Sequence, residues 1–214
     1  TAFAEEDGAV TPYLPSVSNS AQLPLAGQLE LELGGLSAKT GNARRNSLPY
    51  LFKLAFNQEW GVLVGGEAYV SEREEFGNVG RGIGDTSVVL KHAFLIDDAT
   101  AYGLEFGAKL ATAKDTIGSG KTDYALNGIF SKDINTRLHM DANLNFTRMG
   151  AIDVGAARTQ TGLSTSFFTP LADRWSATAE LAGTRRGGTP DTAQFLTALT
   201  YNPSKRLAID FGMV

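Results

Sequence analysis

The chain has no cysteine and only two histidines among its 214 residues. The first absence rules out a disulfide framework and a thiolate zinc site, and it fits a compartment in which stray thiols would oxidise. The second leaves little from which to build an imidazole-based relay or metal centre. Long apolar runs are missing too. None approaches the roughly 20 residues that a membrane-spanning helix needs, although strands of alternating polarity escape that criterion. Nor is one sign of charge in large excess. The formal net charge is −4 and the basic residues are scattered singly, so no nucleic-acid footprint is present and no nucleic-acid partner is expected.

What the chain does have is a period of two. Residues 136–148 put Leu138, Met140, Ala142, Leu144 and Phe146 on one parity and His139, Asp141, Asn143, Asn145 and Thr147 on the other. Side chains two apart share one face of a strand, so the two faces meet different surroundings. The pattern recurs and predicts eleven strands, at residues 28–38, 47–57, 59–71, 84–96, 100–113, 123–134, 136–148, 158–171, 174–184, 192–202 and 206–214. At about 3.3 Å per residue and a tilt near 40°, such strands cross the roughly 25 Å apolar band of an outer membrane. Strands of soluble proteins are usually about half as long.

Within residues 1–27, which precede the strands, residues 5–27 have no such period and contain Pro12, Pro15 and Pro24. They read as an extended segment before the barrel of residues 28–214. Ala2-Phe3-Ala4 has the small-x-small form of a secretory cleavage site, so residues 1–4 read as a signal-peptide remnant, with an ordinary polar N-terminus as the alternative. The connections sort by length. Short turns are expected at 57–58, 97–99, 135, 172–173 and 203–205, and longer polar loops at 39–46, 72–82, 114–122, 150–157 and 185–191. This is the asymmetry of periplasmic turns and extracellular loops in outer-membrane barrels. Because single-chain bacterial barrels usually have an even strand count, the expectation is an antiparallel up-and-down transmembrane β-barrel of twelve strands when complete. Its last strand would be missing here; the alternative is one strand split or overlooked.

Parity assigns the faces. Leu29, Leu31, Phe52, Leu90, Phe106, Leu126, Ile209 and Phe211 belong to the outward set. The inward set holds Glu30, Glu32, Lys53, Glu67, Asp85, Lys91, Glu105, Lys109, Asp123, Asn127, His139, Asp141, Asn143, Asn145, Glu180, Gln194 and Asp210. Charges of both signs on one face are expected in a wet or ion-paired lumen. The candidate lumen and selectivity residues are Glu67, Asp85, Lys91, Glu105, Lys109, His139, Asp141 and Glu180. Glu67, Lys91, Glu105 and Lys109 read either as an ion-pair network or as a charged constriction. His92 falls on the outward parity, which marks a strand end or a bulge.

The remaining motifs carry no chemistry. Gly118-Ser119-Gly120-Lys121-Thr122 resembles the end of a phosphate-binding loop, but Asp115 stands where the first glycine belongs and a strand pattern follows it. Gly80-Arg81-Gly82-Ile83-Gly84 lacks a βαβ context. His139 with Asp141 reads as a hydrogen-bonded lumen pair rather than a hydrolase relay, and no metal, cofactor or catalytic residue is expected.

Gly82-Ile83-Gly84-Asp85-Thr86-Ser87 running into Val88-Val89-Leu90-Lys91, together with Gly107-Ala108-Lys109-Leu110-Ala111-Thr112-Ala113 and Gly118–Asp123, resembles a bacterial outer-membrane family of transporters of the phenol-degradation meta-pathway. The likeness covers most of residues 26–214. It departs at Ala111, where the family has Pro, and in lacking a C-terminal strand with a terminal aromatic. It implies a barrel that passes small, often aromatic, compounds. The expected function is therefore passive uptake of small molecules through a narrow charged lumen in the bacterial outer membrane, with outer-membrane lipid and a small solute as partners. A structural or interaction barrel with a blocked lumen, acting through its outer loops, is the rival. A lipase and a soluble ligand-binding barrel stand further off.

Overall fold

Pro49 sits inside a strand, where its missing N–H takes a bond from the ladder on the side its carbonyl faces. The computed structural model, which describes residues 9–73, 77, 79–114 and 116–214, shows the consequences. The first expected strand is divided into β1 (Leu29–Leu33) and β2 (Leu36–Thr40), both paired with β3 (Ala43–Ala55). The gap falls opposite Pro49, whose carbonyl accepts the Gly34 N–H at 2.9 Å. Across the ladder to β4 (Trp60–Arg73) the register shifts between Leu48 and Pro49. The next partner is divided as well, into β5 (Val79–Gly82) and β6 (Thr86–Asp97).

The rest is a regular meander: β7 (Thr100–Leu110), β8 (Asp123–Asn135), β9 (Leu138–Arg148), β10 (Thr159–Ala172), β11 (Trp175–Arg186), β12 (Thr192–Ser204) and β13 (Leu207–Met213). All described ladders are antiparallel, and the order along the sheet is β1-β3-β4-β6-β7-β8-β9-β10-β11-β12-β13. Counting β1 with β2 and β5 with β6 as single broken strands gives the eleven that the alternation predicts. Among the described residues β1 and β13 are not paired with each other. The sheet is curled into a half-barrel.

Five connections are tight, at 56–59, 98–99, 136–137, 173–174 and 205–206, and all lie at one end. The other end has the loops 111–122, 149–158 and 187–191. Two expectations fail here. Within the expected loop 72–82, β4 runs on to Arg73 and Val79–Gly82 form β5, which pairs with residues 70–73. Residues 39–46 are not a loop, because β2 and β3 run through them and turn at 41–42, where Gly41 takes φ 58°. Lys39↔Arg44 and Ala38↔Arg45 continue the ladder. Polar residues on a strand look like a loop in the sequence when no apolar face marks them. Residues 74–76, 78 and 115 and the cleavage-site motif at 2–4 lie outside the described residues.

The faces are as parity assigns them. Leu29, Leu90, Phe106, Leu126 and Phe211 are exposed on the outside, while Lys53, Lys91 and Glu180 are at most 1% exposed inside. His92 lies near the tight-turn end, stacked on Trp60 at 4.3 Å and against Phe94 at 4.1 Å between centroids. It is part of an aromatic band rather than a bulge, and its Nδ1 bonds the Glu59 carbonyl at 3.0 Å.

Candidate functional site: a lumen crossed by the N-terminal segment

A polar backbone segment can cross a buried space only if its N–H and C=O groups find partners. Residues 9–27, read from sequence as a segment before the barrel, do this inside the sheet and are called the strap below. Side chains on the inward parity take the place of a neighbouring strand. The carboxylate of Glu32 on β1 accepts the Tyr13 N–H at 3.0 Å and the Leu14 N–H at 2.8 Å. Glu180 on β11 accepts Val17 N–H at 3.0 Å and Ser18 N–H at 2.7 Å. Asn143 on β9 holds both polar groups of Asn19, accepting its N–H at 3.0 Å and donating to its carbonyl at 2.9 Å. Ser131 on β8 accepts the Ala21 N–H at 2.8 Å. The ammonium groups of Lys53 and Lys91 donate to the carbonyls of Thr11 and Ser20.

The wall is shaped for this guest. Small inward residues leave space where the strap lies close. A Cβ at Gly61 would come 2.6 Å from Leu23 Cδ2, and one at Gly103 would come 3.1 Å from the Ala21 Cα. Ala21 packs with Ala101 and Ile129, and Leu23 with Ala55 and Ala93. At β13 a Cβ on Gly212 would meet Pro15. One segment thus touches walls from β1 to β13.

Burial of so many charges is tolerable because Lys53, Lys91 and Glu105 are ion-paired and Glu180 accepts backbone N–H groups. Lys53 lies 2.9 Å from Glu30 and 2.7 Å from Glu32. Lys91 lies 3.1 Å from Glu105, which also accepts the amides of Asn19 and Asn127, each at 3.0 Å. The Tyr13 ring sits beneath both ammonium groups, with Nζ of Lys53 4.2 Å and Nζ of Lys91 4.8 Å from its centroid, a cation–π arrangement. Its hydroxyl accepts from Lys91 at 2.8 Å and donates to the Gln22 carbonyl at 2.8 Å.

The eight candidate residues fall into three levels rather than one constriction. Lys91, Glu105 and Glu180 form the middle belt with the strap. Glu67, Asp85 and Lys109 lie toward the loops. There Glu67 pairs with Arg45 at 2.5 Å, and Arg45 with Glu72 at 2.7 Å. Lys109 lies 2.8 Å from Asp123 and 3.7 Å from Asp85. The four-residue grouping of Glu67, Lys91, Glu105 and Lys109 therefore does not exist. His139 and Asp141 mark the tight-turn end. The His139 ring nitrogens face Asp133 at 2.9 Å and Asp141 at 3.1 Å, and the Ser131 hydroxyl donates to Asp141.

Sequence reading passed over Tyr13, Ser18 and Asn19, and also Arg45, which it placed in a loop. The one available signal was a polar, Pro-rich stretch carrying a lone Tyr ahead of a barrel whose interior is charged.

The strap divides the interior. Toward the tight turns lies a cavity of about 670 Å³, bounded by Pro12, Tyr13 and Pro15 of the strap and by His139, Phe168 and Asp210 of the wall. Toward the loops lies another, of about 340 Å³, bounded by Val17, Asn19, Glu105, Asn145 and Gln194. Fold and site together define an all-β, up-and-down antiparallel barrel architecture, apolar outside and charged within, with its own N-terminal segment across the hollow. No protein-family model matches the chain, and no curated protein matches it.

Proposed function

We propose that this chain is a bacterial outer-membrane barrel for passive uptake of small molecules, and that its strap closes the lumen at rest. The observation that carries this reading is the inversion of polarity. Large Leu and Phe side chains face outward while Lys53, Lys91 and Glu180 are buried inside, the distribution that hydrocarbon outside and a polar lumen require. The cavities on both sides of the strap supply the two halves of a path. The resemblance to the phenol-degradation transporter family supports small aromatic or hydrophobic solutes as cargo. The chain acts without chemistry on its solute; the lumen residues sort solutes by charge and size.

A second reading, a barrel with a blocked lumen that acts through its outer loops, is favoured by the density of bonds holding the strap. One experiment separates the two. The absence of native cysteine permits a Ser18→Cys with Ser164→Cys pair, placed where the two hydroxyls lie 2.9 Å apart. In liposomes, oxidation of this pair should abolish uptake of small solutes and reduction should restore it. Uptake indifferent to the crosslink removes the strap as gate. No uptake in any state, wild type included, leaves the blocked barrel.

A further inference from the structure

The 670 Å³ cavity has a charge left over. Asp210, the fourth residue of β13, faces it, and among the described residues its one hydrogen bond is from the Thr200 hydroxyl at 2.5 Å. Among the described residues Asp210 makes no ion pair, and Lys53, the nearby buried ammonium, is held by Glu30 and Glu32. Arg174 and Lys205 border the cavity only at its exposed rim, in the tight turns. At the far wall Asp141 is taken up by His139 and Ser131.

An independent feature marks the same wall. Cross-strand register places Ser176, Thr200 and Asp210 in one row over β11, β12 and β13. Ser176 is 2% exposed and lines the cavity, yet its hydroxyl has no hydrogen-bond partner among the described residues. A buried hydroxyl without a partner costs free energy unless a guest completes it. Next to this row, Phe168 lies opposite Thr178, and Pro12, Leu14 and Pro15 of the strap give the cavity an apolar side.

We propose that this cavity is a binding site for small organic cations, a primary or secondary ammonium on an apolar body. The ammonium would donate to Asp210 and to the Ser176 hydroxyl, and the apolar part would lie against Phe168 and the strap prolines. A carboxylate with no cation of its own favours a charged donor over a neutral one, and an aromatic wall adds attraction for a cation. A cavity of this volume falls in the ordinary range for small-ligand sites. The proposal rests on the reading of the lumen as a solute path, and it names the solute class that path would hold.

The test is binding by the full refolded chain in detergent micelles, with benzylamine, benzyl alcohol and benzoate as cationic, neutral and anionic probes of one size. Benzylamine should bind at least about tenfold more tightly than the other two, the loss of one charge-assisted bond being worth about a decade. Asp210→Asn should erase that preference while leaving benzyl alcohol unchanged. Ser176→Ala, which keeps the carboxylate, should weaken benzylamine about threefold. Equal binding of the three probes, or a preference that survives Asp210→Asn, overturns the proposal. Because the readout is binding, it is separable from uptake: selective binding without uptake in liposomes sinks the passage reading alone, and uptake without selective binding sinks this site alone.

Discussion

Two belts of charge line the same lumen on the same parity, and they are built differently. In the middle belt Lys53, Lys91, Glu105 and Glu180 are at most 5% exposed on their side chains or as residues, and each binds the strap or a partner that binds it. Toward the loops, Arg45, Glu67, Glu72 and Lys109 pair with side chains that are between 24% and 40% exposed, except for the buried carboxylates of Asp85 and Asp123. The lesson is that residue type and parity do not separate a structural charge from an adjustable one. The number of partners and the access of water do. A buried ion with its partner removed has nowhere to find solvation, whereas a half-exposed one is rehydrated at little cost.

That difference can be broken at its strongest point first. Lys53→Met would leave Glu30 and Glu32 buried against each other, and should destabilise the barrel by about 3–5 kcal/mol; urea unfolding in lipid vesicles measures it. A loss below about 1 kcal/mol would show that water reaches the middle belt freely.

Next comes the outer face, on which the idea of a lumen depends. Leu126→Arg, on the outward side between Phe106 and Phe146 in the ladders, should cost about 2–4 kcal/mol if hydrocarbon covers that position at mid-depth. The same unfolding experiment reads it, and no change would mean that water covers this face.

Glu180→Gln sharpens the role of the strap. The N–H groups of Val17 and Ser18 would keep an acceptor but lose its charge, a difference of about 1–2 kcal/mol. Amide exchange at Val17 and Ser18 should accelerate while exchange in the β7–β8 ladder stays constant. Uniform acceleration would instead show that the strap and the sheet open together.

The smallest change in stability belongs to the loop-side belt. Lys109→Gln should cost under about 1 kcal/mol, yet shift the cation-to-anion preference of any current that the protein carries in a lipid bilayer. Glu105→Gln should do the reverse, lowering stability with little change of preference. If Glu105→Gln alone moves the preference, the middle belt is the filter and the contrast drawn between the two belts is wrong.

Much of this architecture could be read from the chain. The period of two over 138–147 gave both the strand β9 and the facing of its side chains, because on a strand the side-chain direction is fixed by residue number alone. The same logic placed Leu126 outside and Asn127 inside. It missed the interruption at Gly34 and Gly35, which falls opposite Pro49 of the neighbouring strand. It also took 39–46 for a loop, since a strand that is polar and exposed along its length keeps no apolar parity. At the site, parity put Lys91 and Glu105 together, and they pair at 3.1 Å. It could not tell that Lys109 prefers Asp123 or that Glu67 prefers Arg45, because a lumen offers several opposite charges within reach and geometry chooses among them.

Alternation by itself determined the strands, their two faces and the set of residues that look inward, for these follow from local backbone geometry. Only the tertiary structure decided what fills the hollow. The bonds that seat the strap join Ser18 to Glu180 and Asn19 to Asn143, across separations of 162 and 124 residues. No periodicity encodes a partner at that distance, since a segment held by scattered side chains rather than by a ladder carries no repeat of its own.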